Sequence, residues 1–266
     1  VTTVTRRSSQ PGRTGRGRAE IARRGAGGLD PSRLPAFEKD DLERLPIEPD
    51  LDLNVRRLHA MLGGSSDFTV RHFEIGGQVS AAAVFLEGMV ERTLVAEHLL
   101  APLMQYKPQP GRQPALDELV RSTITMDIVR ECGDLHAVVD SLLEGSVVLL
   151  VNGQTVALTL EATGFDKRAP EEPMTEAVVR GPREGFIESL AANLTMLRRR
   201  LKTPNLVLEN MVIGRVSHTQ VVVAYVRGLA APELVQEVRK RLGRIDIDGV
   251  LEPNDLEGMI RDHAWS

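Results

Sequence analysis

Residues able to do chemistry are sparse in this chain, and their spacing assembles no reaction centre. The single cysteine, Cys132, excludes a disulfide framework and a four-thiolate metal site. It borders a polar turn with no base placed beside it, so it reads as a structural thiol. The six histidines, at 59, 72, 98, 136, 218 and 263, lack the paired spacing that zinc proteases use. Asp127 and Glu131 would lie one turn apart on a helix, yet no histidine or further carboxylate joins them. Gly12, Gly15 and Gly17 imitate a phosphate loop only in composition, because no strand precedes them. No catalytic, cofactor-binding or metal-binding residue is assigned.

The densest polar feature is Arg180-Gly181-Pro182-Arg183-Glu184-Gly185-Phe186. Pro182 and Gly185 constrain the backbone, and Glu184 suits the start of a helix, where the dipole favours an anion. The segment is either an ordinary loop and helix start or a docking or hinge element between two units. Phe186, Leu190, Leu194, Leu197 and Leu201 follow at helical spacing, and Thr203-Pro204-Asn205 stops them. Asn193 lies on the edge of that stripe and must find a hydrogen-bonding partner. Arg198, Arg199 and Arg200 close the helix where the macrodipole favours cations, which reads first as a solvated face. A phosphate or acidic-partner site is the second reading of the same run.

The elements that position these residues come from an apolar but aromatic-poor chain. Of 266 residues, 42% are hydrophobic and 3% aromatic, so the core must be built from Leu, Val, Ile and Ala. The net charge of −4 hides a split. Residues 1–34 carry eight Arg against Glu20 and Asp30, and the rest of the chain is acidic. That basic stretch lacks large apolar side chains and is expected to be disordered, with at most a weak contact to anionic surfaces and no specific nucleic acid. No apolar run approaches the ~18–20 residues of a membrane helix, so the chain is expected to be soluble.

Residues 35–50 read as an acidic, proline-rich linker. Leu51, Val55, Leu58 and Leu62 then mark a helix stopped by Gly63-Gly64. Phe68–Ile75 and Ala81–Leu86 read as strands, and Thr93–Ala101 as a helix ending near Pro102. Asp134 is placed to cap a helix burying Leu135, Val138, Val139, Leu142 and Leu143. Val147–Val151, Asn152-Gly153 and Gln154–Leu160 spell a hairpin with a two-residue turn, setting Leu149 opposite Val156.

The chain also repeats itself. Asp67–Gly76 aligns with Asn205–Gly214, and Ala81–His98 with Val221–Val238 after a two-residue insertion. The expected fold is therefore α/β: two related α/β subdomains, each a small mixed sheet flanked by helices, behind a disordered basic tail. The boundaries read as tail and linker 1–50, first subdomain 51–165, linker 166–175 and second subdomain 176–266. Because nothing after Asp255–Ile260 resembles the Val147–Leu160 hairpin, the second subdomain is expected to be incomplete, with an unpaired sheet edge.

The stretch Val178–Gly214, VVRGPREGFIESLAANLTMLRRRLKTPNLVLENMVIG, resembles the N-terminal soluble region of the A subunit of spore germinant receptors, the GerA family. Arg180, Gly181, Pro182, Glu184, Gly185, Phe186 and Glu188 fall on the family's signature. Asn193 and Arg198–Arg200 fall on the Asn and triple Arg that follow it. GSSDFTVRHFEIGG followed by AAAVFLEGMVERTLVAEHLLAPLM looks like the family's first strand pair and helix, and LLEGSVVLLVNGQTVALTL like its hairpin. The resemblance covers about residues 50–266.

That resemblance implies a non-enzymatic, cofactor-free role in nutrient-triggered germination. Its implied partners are the receptor's B and C subunits and a small germinant such as an amino acid or sugar. It implies attachment to the inner spore membrane through a C-terminal portion absent from this chain, with this region facing the spore core. Arg180–Gly185 with Asn193 and Arg198–Arg200 become the candidate coupling surface. The alternative is a small-molecule-binding protein or enzyme using a cleft between the two repeats.

Overall fold

The structure, a computed structural model, describes residues 30–33, 36–37, 44–107, 115–126, 129–164, 185–250 and 253–260. The basic stretch up to residue 29, the 166–175 linker, and Arg180, Gly181, Pro182 and Glu184 lie outside the described residues.

The first unit opens with α1 (Leu51–Met61), which Asp50 caps by accepting from the Leu53 N–H at 2.9 Å. Next come β1 (Phe68–Ile75) and β2 (Val79–Leu86), then a helical run, α2, made of Arg92–Leu94, Val95–Leu100 and Ala101–Gln105. The remainder is α3 (Leu116–Ser122), β3 (Val129–Cys132), α4 (Leu135–Leu143), β4 (Ser146–Val151) and β5 (Ala157–Glu161). The strands form one sheet in the order β1-β2-β4-β5-β3.

β2 lies inside this sheet with both faces covered, so its apolar run shows no polar alternation. Ala82, Val84 and Leu86 pack with Leu58, Met61 and Leu142 of α1 and α4. Ala81, Ala83 and Phe85 pack with Val95, Leu99 and Leu119 of α2 and α3.

The second unit contains α5 (Leu190–Arg200), β6 (Leu206–Ile213), β7 (Thr219–Val226), α6 (Pro232–Leu242) and α7 (Pro253–Ile260). β6 and β7 form a two-stranded sheet. Val207, Tyr225 and Val235 form one core cluster there, and Ile213, Leu242 and Val250 another.

The repeat is visible in the register. β1 and β2 pair from Phe68↔Leu86 to Ile75↔Val79, and β6 and β7 from Leu206↔Val226 to Ile213↔Thr219. These are the same eight pairs, with the two inserted residues absorbed by the turn. The backbone bonds closing each base also correspond: Glu87 N–H to Asp67 O, and Arg227 N–H to Asn205 O. Two helix-flanked α/β units are present as expected. Their strands pair antiparallel throughout the described residues, not in mixed sheets. Three of these pairs are hairpins, which can only be antiparallel.

Three local expectations change. The helix expected to stop near Pro102 continues to Gln105, because Val95–Leu100 is a π-helical turn and the Ala101 N–H bonds to Ala96 O. Pro102 thereby sits in the first turn of the next α-helical segment, where its missing donor costs little. The β4–β5 hairpin pairs Leu149 with Leu158 and Val147 with Leu160, two residues beyond the expected register. Asn152 and Gly153 are drawn into tertiary bonds, to Ser80 O at 2.9 Å and Pro49 O at 2.8 Å, which opens the turn. A shift of two preserves which face each side chain occupies.

The third change concerns the stretch read as a linker. Leu45 and Ile47 are buried in the first core, and the Leu135 N–H donates to Leu45 O at 2.9 Å. Upstream, the Phe37 N–H donates to Asn205 Oδ1 at 2.6 Å, and Asn205 Nδ2 donates to Phe37 O at 2.8 Å. Asp30 pairs with Arg239 of α6 at 2.8 Å. Described residues between 30 and 47 thus touch both units. Among the described residues, no helix is long and apolar enough to cross a membrane.

Burial pushes the Asp30 carboxyl up, but hydrogen bonds from Ser32, Arg239 and Gln236 outweigh it and hold the group well below the usual carboxylate range. Such a group stabilises the fold above its unfolded pKa of about 3.9 and loses that contribution as pH falls. The urea midpoint of Asp30→Asn should therefore lie below that of the parent at pH 7. The gap should close progressively once the pH drops below about 4. A gap independent of pH would show that Asp30 contributes no charge-dependent stability.

Candidate functional site

A buried set of polar side chains lies where the two units meet. Ser65 and Asp67 occupy the turn between α1 and β1, immediately after the glycines that end the helix. Arg198 sits in the last turn of α5 and reaches them from across 131 residues of sequence. Its Nε donates to Asp67 Oδ2 at 2.6 Å, and Nη2 donates to Asp67 Oδ1 at 2.8 Å. Nη2 also donates to Ser65 Oγ at 2.8 Å, and Nη1 to Thr203 O at 3.4 Å. Arg198 is 1% exposed and Asp67 7%.

Ser65 links this pair to β6. Its hydroxyl donates to Asp67 Oδ1 at 2.6 Å and accepts the Leu208 N–H at 2.9 Å. The Ser66 N–H donates to Leu208 O at 2.8 Å, so the turn of the first unit pairs along the strand of the second. A bidentate guanidinium–carboxylate pair with its remaining valences bonded is the arrangement in which burying two charges is tolerable.

A second arginine crosses the same boundary. Arg227, just after β7, is buried, and its Nη2 donates to Met61 O at 2.6 Å and Pro204 O at 3.3 Å. It places a cation on the exposed carbonyls at the C-terminus of α1, where the helix dipole favours it. Burial pushes its pKa down to about 10, with the nearby Arg198 charge acting in the same direction. The group remains a cation at neutral pH. Gly63 adopts φ +68°, and a Cβ there would meet Arg227 Nε and Val207 Cγ2 at 2.8 Å, so no larger residue fits. Gly88, at φ +79°, lies in direct contact with Thr195 of α5.

The repeated position explains the choice of side chains. Asp67, which accepts only, meets a guanidinium, which donates only. Its counterpart Asn205 meets the backbone of Phe37, which needs one donor and one acceptor. An amide supplies both.

The sequence-derived candidates distribute unevenly over this joint. Arg198 is its centre, which corrects the reading of the arginine run as a solvated face. Arg199 and Arg200 do lie on the exposed side. Asn193 finds its partner in the Ile187 backbone, accepting its N–H at 2.8 Å and donating to its carbonyl at 2.7 Å. The bracket folds the entry segment back on α5, which begins at Leu190 under a Ser189 cap. Phe186, expected as the first member of the helical stripe, precedes the helix and is 68% exposed. Gly185 is also exposed.

Asp67, Ser65 and Arg227 escape a reading by motif. Their one signal is that Asp67 aligns with Asn205 at the foot of a repeated hairpin. Cys132 is buried with its Sγ 3.1 Å from Thr159 Oγ1. Among the described residues, no group of His, Cys, Asp and Glu is arranged to hold a metal. The chemistry of the joint is that of a latch.

Removing one partner leaves the other charged and buried, so Arg198→Ala should cost about 3–5 kcal/mol in urea unfolding. Asp67→Ala combined with Arg198→Ala should cost clearly less than the sum of the two single changes. Additivity within about 0.5 kcal/mol would show that the two side chains are not coupled.

Comparison with known proteins places this architecture. Residues 56–266 match the sequence profile described as Bacillus/Clostridium GerA spore germination protein. The chain is 34% identical over 229 residues to the uncharacterized membrane protein YfkQ of Bacillus subtilis (strain 168), covering 86% of this chain and 44% of that protein. It is 32% identical over 222 residues to spore germination protein KA of the same organism, covering 83% and 41%. The chain thus spans less than half the length of these curated relatives. Its fold matches the crystal structure of the N-terminal domain of the A subunit of the Bacillus megaterium spore germinant receptor GerK3, with a TM-score of 0.63 and 32% identity over 77% of this chain and 75% of that one. The profile match over residues 56–266, with the identity to these relatives, leads to one conclusion: the chain belongs to the GerA spore germination protein family.

Proposed function

We propose that this chain is the N-terminal soluble region of a spore germinant receptor A subunit and serves nutrient-triggered germination by relaying a conformational signal. The observation that carries this reading is the position of α5. It directly follows the Arg180–Phe186 motif, touches Gly88 of the first unit through Thr195, and is anchored to Asp67 by Arg198. A displacement of the motif loop would pull on a buried ion pair that spans both units. Such a joint holds two discrete arrangements better than a continuum, because a half-broken buried pair is costly.

In this reading Arg180, Gly181, Pro182, Glu184 and Gly185 form the face that meets the membrane part of the receptor or its B and C subunits. Asn193 and Arg198 fix α5, and Arg199 and Arg200 are further candidate contact residues. The region lies on the core side of the inner spore membrane. The germinant is a small nutrient, an amino acid or a sugar, and its signal arrives through the partner subunits. The unit boundaries near residues 51, 165 and 176 belong to the same proposal.

Spores carrying Arg180→Ala with Glu184→Ala should respond to nutrient about tenfold more slowly, the scale of a coupling free energy of about 1–3 kcal/mol. The melting temperature of the isolated chain should stay nearly constant. Loss of the folded domain in these variants would mean that the loop is structural, and the coupling reading would fail.

A further inference from the structure

The feet of the two hairpins are sockets of the same construction. In the first unit the foot carries Asp67 and Gly88, and it grips α5. Arg198 bonds to Asp67, and Thr195 lies against Gly88. The repeat places Asn205 and Gly228 at the corresponding positions of the second unit, and that foot grips the segment before α1. Asn205 brackets the Phe37 backbone at 2.6 and 2.8 Å. Ala36 lies against Gly228, where an added Cβ would come within 2.7 Å of the Ala36 Cβ. Gly88 and Gly228 share a positive φ, +79° and +80°, so each socket combines a polar side chain with a bare backbone turn.

Chain order makes the exchange reciprocal. The helix α5 leads into the second unit and is held by the first. Residues 30–47 lead into the first unit and are held by the second. At their downstream end Leu45 and Ile47 are buried in the first core, and the Phe37 ring lies 5.3 Å from that of His136 in α4. At their upstream end Asp30 accepts from Arg239 Nη1 at 2.8 Å and Gln236 Nε2 at 3.2 Å, both on α6. Arg239 also donates to Glu209 Oε2 of β6 at 2.6 Å, which ties this end into the second sheet.

The two grips differ in kind. The ion pair that holds α5 is buried, with side-chain exposures of 1% and 7%. The upstream segment is held by a neutral amide at Asn205 and by the Arg239–Asp30 pair, whose side chains are 24% and 26% exposed. Opening neutral or partly hydrated bonds costs less than leaving a buried charge without its partner.

We propose that residues 30–47 form a releasable strap, which opens before the Arg198–Asp67 latch and frees the second unit to swing about that latch. With the strap closed, the units are tied both at the latch and from the first core to α6. With it open, the latch remains as the pivot. The device is set by contacts within the chain and stands apart from the relay reading.

Hydrogen exchange on the full chain tests the order of opening. After correction for intrinsic rates, the Phe37 amide should exchange at least about tenfold faster than the Ser66 and Leu208 amides, which report the latch. Equal protection at all three would show that strap and latch open as one unit, and would overturn the proposal. The distance between spin labels introduced by Arg71→Cys and Val216→Cys tests the consequence, since both positions are exposed and the native Cys132 is buried. Asp30→Ala combined with Asn205→Leu should broaden that distance distribution while the Leu208 amide keeps its protection. An unchanged distribution in the folded variant would overturn the proposal as well. Should the variant fail to fold, the exchange rates of the parent decide.

Discussion

The ion pair between Arg198 and Asp67 decides how the two halves of this protein meet. Taking a guanidinium and a carboxylate out of water costs several kcal/mol per ion, and only close, complete hydrogen bonding returns it. Both carboxylate oxygens are engaged by the guanidinium, Ser65 bridges the carboxylate to the backbone of β6, and Thr203 O takes a further donor. Little slack remains. The planar fork also fixes orientation as well as distance, so the end of α5, the foot of β1 and the middle of β6 are held in one geometry. Apolar residues of similar volume could hold the joint together without specifying that arrangement.

The duplicated hairpin supplies the frame on which this joint is built. Each copy offers the same foot, a short polar residue before the first strand and an arriving segment packed against it. The copies then diverge in what they recruit. Asp67 receives the arginine of the helix that leads into the other copy, whereas Asn205 receives the backbone at Phe37. The first sheet grows to five strands and is covered on both faces. Among the described residues the second has two strands, with Val212 exposed on one face. A well-packed unit is thereby coupled to a lighter one through a saturated polar contact.

Local order was legible from residue types alone. The helix after Asp134 starts under that cap and buries the five residues its spacing predicted, because a 3.6-residue period and a capping side chain act over a few residues. The duplication was legible as well, and the two hairpins share their register to the residue. Asn193 was marked as a polar group needing a partner, and it found one six residues away. The hairpin at Asn152-Gly153 was legible in existence but not in register, since both turn residues are bonded to distant backbone.

The arginine run marks where sequence reasoning ends. Three consecutive arginines at a helix end look alike to the dipole and to solvent, and composition gives no reason to bury one of them. What separates Arg198 from its neighbours is a carboxylate 131 residues earlier, brought to its guanidinium by the packing of two units. Helical and strand periodicity determined the elements and their repeat, because those forces act between near neighbours in the chain. The tertiary structure alone decided which charge is buried and which stretch before Leu51 packs as core, because desolvation depends on everything folded around a group.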